Sequence, residues 1–136
     1  MASRLNPYVN FDGNAREAMD FYKYVLGGEL TISTFGEYGS DDAAIADKIM
    51  HAQLENESGF ALMASDTAPG MKHQPGTNIT ISLSGDDADE LHGYWDKLAE
   101  GGTVTMPLEK QVWGDEFGMV VDRFDIPWMV NIAHPH

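Results

Sequence analysis

"FDGNAREAMDFYKYVLGGEL", residues 11–30, decides how this chain is read, because "SGDDADELHGYWDKLAEGGTV" at residues 84–104 repeats its logic. In the first stretch Asn14 stands three residues before Glu17, the spacing of a capping box, so a helix starts there. Ala18, Phe21, Tyr22, Val25 and Leu26 then recur at helical spacing, and Gly27-Gly28 stops the run. In the second, Asp87 and Glu90 make the box, Leu91, Tyr94, Trp95 and Leu98 make the stripe, and Gly101-Gly102 makes the stop.

The flanks repeat as well. "NPYVNF" (6–11) alternates Pro7, Val9 and Phe11 against Asn6, Tyr8 and Asn10; "NITISL" (78–83) alternates Ile79, Ile81 and Leu83 against Asn78, Thr80 and Ser82. Period-two alternation predicts a strand before each helix. Three candidate strands follow each Gly-Gly: "ELTISTFGEY", "KIMHAQLEN" and "FALMASD", then "TVTMPLEKQVW", "FGMVVDRF" and "WMVNIA". The order is βαβββ twice, joined by the Pro/Gly-rich "TAPGMKHQPGT" (67–77). The expected fold is α+β, one domain over 1–136. Module one spans about 1–68, the connector about 69–77 and module two about 78–136. The two sheets are expected to form a curved mixed sheet around a concave pocket, with helices outside.

Bulk properties exclude several classes. The chain has no cysteine, which removes disulfides, thiolate metal sites and cysteine nucleophiles. Eight Lys and Arg against 22 Asp and Glu give a formal charge of −14, which repels nucleic acid and anionic membrane. "MASRLNPYVNF" lacks an apolar leader core, and no apolar run reaches the roughly 18–20 residues that span a bilayer. A cytoplasmic location is expected. No G-x-S-x-G elbow, P-loop or H-E-x-x-H occurs.

"YVNFDGNAREAMDFYKYVLGGEL", "MHAQLE", "LMASD" and "WGDEFGMVVDRFDIPW" resemble, in order, the PhnB-like branch of the vicinal-oxygen-chelate superfamily, which includes glyoxalase I, extradiol dioxygenases and the fosfomycin and bleomycin resistance proteins. The branch's D-x-F-G-x-x-W appears as "DRFDIPW" (122–128), with Asp125 in the glycine's place. The resemblance implies a homodimer, as do sheet edges and apolar faces that a partner subunit could cover.

Metal-using members of the superfamily place His, Glu or Gln at the start of the first strand and on the last strand of each module. Taking Phe11 and Leu83 as anchors gives Asn6 and Asn78 (Pro7 with a one-residue shift); matching "GFALMAS" to "DIPWMVN" gives Met63 and Met129. Two residues further along the last strands lie Ser65 and Asn131. Amide oxygens are weak donors and thioethers suit soft ions, so no metal centre or other cofactor is expected.

The candidate ligand-binding residues are Tyr8, Asn10, His51, Gln53, Asp66, Thr80, Trp113 and Phe117. His51, Gln53 and Glu55 alternate with the apolar Met50, Ala52 and Leu54. His51 is the only histidine inside a predicted strand, and imidazole can act as a general base or as a hydrogen-bond donor. Asp66 ends a module where a carboxylate could reach a pocket mouth or cap a turn. Trp113 beside Gly114 can fold over an organic ligand. Trp128 reads as core, His134 and His136 as a fraying tail, and His73 and His92 as lacking an evident partner. The leading expectation is a metal-free protein that binds a small organic molecule. A metal-dependent enzyme of glyoxalase or dioxygenase type around His51 comes next, then a protein-interaction module.

Overall fold

The computed structural model describes residues 3, 5–39, 42–43, 45–68 and 71–135. The first strand, β1, is Tyr8–Phe11; α1 is Ala15–Leu26, followed by β2 (Glu29–Thr34), a 3-10 turn at Gly36–Tyr38, β3 (Ile49–Glu55) and β4 (Ala61–Asp66). Then come β5 (Ile81–Gly85), α2 (Ala88–Ala99), β6 (Thr103–Lys110), β7 (Glu116–Val121) and β8 (Pro127–Ile132). Each half is therefore βαβββ. The chain divides into two compact units, Met1–Pro75 and Gly76–His136. Each holds one four-stranded mixed sheet, ordered β1-β4-β3-β2 and β5-β8-β7-β6. The outer pairs β1·β4 and β5·β8 are parallel and the rest antiparallel. This is the α+β, glyoxalase-like arrangement expected.

Within module one, α1 buries Ala15, Ala18, Met19, Phe21, Tyr22, Val25 and Leu26. They cover the sheet face that carries Phe11, Ala52, Leu54, Leu62 and Ala64, all buried. In module two, Leu91, Tyr94, Trp95 and Leu98 of α2 do the same, with Leu83, Val120, Trp128, Val130 and Ile132 buried in that unit. Non-polar burial of this kind contributes roughly 25 cal/mol per Å². The alternation read from the sequence is the consequence of one covered face per sheet.

Module one departs from the expected capping. Asn14 makes no side-chain cap to α1. Asp66, at the end of β4, reaches over instead: its Oδ1 accepts from Ala15 N–H (2.9 Å) and its Oδ2 from Ile49 N–H (2.8 Å). In module two the local cap forms as expected, with Asp87 Oδ1 accepting from Glu90 N–H (3.1 Å).

Both Gly-Gly stops do the same work. A Cβ on Gly28 would stand 2.2 Å from the Glu55 carbonyl oxygen, and one on Gly102 2.5 Å from that of Val121. At such distances only glycine lets the helix exit run into the next strand.

Candidate functional site

The pairing registers fix which residues of the two modules correspond. Met63 pairs with Tyr8 on one side and Gln53 on the other; Met129 pairs with Ser82 and Met119. Thr67 N–H donates to Phe11 O and Ala133 N–H to Gly85 O, both at 2.7 Å. Met63 therefore matches Met129, as expected from the sequence. Phe11 matches Gly85 rather than Leu83, whose counterpart is Val9. The anchor from alternation is displaced by two residues, because a period-two pattern is unchanged by a shift of two and only strand pairing breaks the tie.

The corrected counterpart of Asn6 is Thr80, and of Tyr8 is Ser82. Asn78 lies before β5 and is exposed. The corresponding strand positions then offer amide, hydroxyl, phenol and thioether groups but no carboxylate or imidazole. This donor set does not fit the divalent ion of metal-using superfamily members.

On module one the sheet face away from α1 is polar. Tyr8 Oη lies 3.4 Å from His51 Nδ1, with ring centroids 5.8 Å apart and tilted by 38°. Beside them the Ser65 hydroxyl donates to Asn10 Oδ1 at 3.0 Å. Gln53 Nε2 donates to Glu55 Oε1 at 2.6 Å. The structure thus brings four of the predicted residues, Tyr8, Asn10, His51 and Gln53, onto one face.

Asp66 does not join them. It is 4% exposed, and both its oxygens are taken by backbone amides on the helix side of the sheet. Its carboxylate acts as a clamp between α1 and β3, which the sequence reading had left open as a turn cap or a pocket group.

On module two the corresponding face mixes Ser82 and Asn131 with larger apolar groups. Phe117 occupies the position that corresponds to His51, and Met119, Met129 and Met106 line up across β7, β8 and β6. Trp113 meets Phe117 edge-on, centroids 6.0 Å apart, and is 51% exposed. Thr80 lies elsewhere in the unit, in a cavity of about 340 Å³ shared with Thr77, Thr105, Met119, Pro127 and Trp128. Trp128 is buried as expected, its indole N–H on Asp122 Oδ2 at 2.8 Å.

The sequence reading missed one cluster. Glu116 Oε2 lies 2.7 Å from His134 Nε2, and its Oε1 3.3 Å from His92 Nε2. The hydrogen bond from His134 does most to hold the Glu116 carboxyl below its ordinary value. Partial burial opposes this, and the attraction of His92 adds to it. His92 and His134 therefore have a partner after all, while His136 lies outside the described residues. His73 meets Thr67 Oγ1 at 3.3 Å. No local spacing signals Glu116, because its partners are 24 and 18 residues away, His134 brought by the β7–β8 pairing and His92 by the packing of α2 on β7. Among the described residues no group of three or more His, Asp or Glu is arranged to hold a metal ion. No helix among them is long and apolar enough to cross a membrane.

The comparisons agree with this architecture. Protein YjdN of Escherichia coli is 31% identical over 141 residues, covering 95% of each chain. The crystal structure of protein PA1353 from Pseudomonas aeruginosa matches with a TM-score of 0.87 at 41% identity, over 98% of this chain and 100% of that one. A PhnB protein from Bacillus cereus shares the fold, with a TM-score of 0.75 at 21% identity over 96% of this chain and 100% of that one. A family model matches residues 4–130, and by that match the chain belongs to the Glyoxalase/Bleomycin resistance protein/Dioxygenase superfamily.

Proposed function

We propose that the protein binds a small organic molecule without a metal ion. In module one the contacts come from Tyr8, Asn10, His51 and Gln53. Trp113 with Phe117, and Thr80 in its cavity, are separate candidate contacts on module two. The observation that carries this reading is the polar face of module one. Four polar side chains sit there on a sheet surface that α1 does not cover, Tyr8 and Asn10 exposed and His51 and Gln53 half-buried, so that all four are within reach of a ligand. Small-molecule sites use a few placed polar groups to fix a ligand's orientation, and this face supplies them.

The test is a melting-temperature and tryptophan-fluorescence screen of a broad organic library, repeated on His51→Ala and Trp113→Ala. Ligands that raise the melting temperature of the parent and lose that effect in either variant support the reading. Silence across the library contradicts it.

A homodimer belongs to the same proposal. The edge strand β6 is exposed on both faces, with Val104 43% and Met106 41% exposed, and a second copy covering it would bury both. Sedimentation as a monomer would overturn it.

A further inference from the structure

We infer that Tyr8 fixes the tautomer of His51, and that the module-one face is thereby set to receive an uncharged hydrogen-bond acceptor such as a carbonyl oxygen. This rests on the reading that the face meets a ligand, and it names the chemistry that face selects.

A phenol donates readily, and a neutral imidazole has one nitrogen that donates and one that accepts. Tyr8 Oη lies 3.4 Å from His51 Nδ1, a contact in which either group can donate; with the phenol as donor, Nδ1 is the acceptor. The imidazole proton then sits on Nε2, which becomes a donor available to a ligand. On β1 the Ser65 hydroxyl occupies Asn10 Oδ1, so the Asn10 amide offers its two Nδ2–H bonds. The strands β1 and β3 flank β4, so these two donors bracket Ser65.

The second half concerns charge. Arg16 and Lys23 lie on α1, Lys97 on α2, Lys110 at the end of β6 and Lys72 in the connector. Lys48 reaches the Gly13 carbonyl and Arg123 that of Glu100. Among the described residues none of these shares the strands of the module-one face, whose charged side chains are the carboxylates Glu29 and Glu55, paired across β2 and β3. An anion would meet these two carboxylates, whereas an uncharged carbonyl oxygen needs only the donors present.

The experiment is imidazole and side-chain amide NMR at about pH 8, where an ordinary histidine is neutral. It uses three one-ring probes: benzamide, benzoate and benzylamine. The expected result is a proton on His51 Nε2 and a mixed tautomer in Tyr8→Phe. Tyr8 is half exposed, so that variant keeps the fold, and Tyr8→Leu serves as a second. Benzamide should shift His51 Nε2 and the Asn10 amide at millimolar concentration. Benzoate should shift these two groups about tenfold more weakly, the scale of one charge-assisted hydrogen bond, and benzylamine, whose ammonium accepts no hydrogen bond, should leave them unshifted. A proton on Nδ1, or a tautomer indifferent to Tyr8→Phe, overturns the wiring even if probes bind. Equal binding of benzoate or benzylamine overturns the acceptor preference. Silence of all three probes at this face, with the tautomer as expected, overturns the preference together with the ligand-facing reading.

Discussion

Module one and module two carry the same ladder of strands but end it differently. At the last residue of the final strand, module one has Asp66, whose carboxylate ties α1 to β3; module two has Ile132, fully buried, and leaves capping to Asp87. At the turn into the final strand the roles reverse. Asn56 in module one accepts from Phe60 N–H (3.0 Å) and donates to Leu26 O (3.2 Å). Its counterpart Asp122 accepts from Phe124 N–H (2.7 Å), Ile126 N–H (3.1 Å) and the Trp128 indole (2.8 Å). A duplicated backbone thus needs one buried carboxylate per module and does not fix where it sits. Each module stations its acid where its own helix and strands leave amides unpaired.

The largest break in this comparison should come from Asp66→Ala. Two buried amides lose a charged acceptor, and a cost of about 3 kcal/mol is expected from urea unfolding. Ile132→Val, at the corresponding position, should cost only about 1 kcal/mol, because it removes one methylene and no hydrogen bond. Equal costs would show that Asp66 is no clamp.

Asp122→Ala should cost about 2–3 kcal/mol and Asn56→Ala about 1 kcal/mol, since the carboxylate serves three donors and the amide makes two neutral bonds. Loss of the indole partner should also shift tryptophan emission in Asp122→Ala alone. An Asn56 variant as costly as the Asp122 variant would remove the distinction drawn between the two turns.

A smaller effect of opposite sign is expected one turn position later. Asp125 N–H donates to Asp122 O as Gly59 N–H does to Asn56 O, and both residues sit at positive φ, +65° and +86°. The turn is therefore retained despite the aspartate in the branch's glycine position, at the cost of a left-handed backbone. Asp125→Gly should stabilise the protein by roughly 0.5–1 kcal/mol. Destabilisation would mean that the Asp125 side chain holds the turn itself.

The smallest effect concerns Glu116, which has no bridging counterpart in module one. Its carboxyl titrates below the ordinary value in the native state. The stability it contributes is therefore fully present above the unfolded value of 4.5 and is lost as pH falls through the lowered native value. The gap in melting temperature between parent and Glu116→Gln should be open above pH 4.5 and close as the pH falls through the lowered native value. A gap that widens on acidification would refute this assignment.

The repeat was legible because helix stripes, Gly-Gly stops and period-two strands are local patterns, and both halves printed them. Met63 and Met129 were matched by the same means. What alternation could not supply was register. It matched Phe11 to Leu83, and strand pairing moved the match to Gly85. Nor could it foresee Asp66 capping α1 from a strand 51 residues away, or Glu116 gathering His92 and His134. These depend on contacts between distant segments, which leave no spacing in the chain. Gathering Tyr8, Asn10, His51 and Gln53 needed only the alternation and the strand order, so that face could be anticipated.

The central claim is that the strand positions used for metal elsewhere in the superfamily carry donors unsuited to it in both modules. Its most direct test is the metal content of untagged protein purified without chelator, measured by plasma mass spectrometry. The account predicts manganese, iron, nickel and zinc each well below one per chain. A near-stoichiometric amount of any of them would contradict it and turn attention to an enzyme site built around His51.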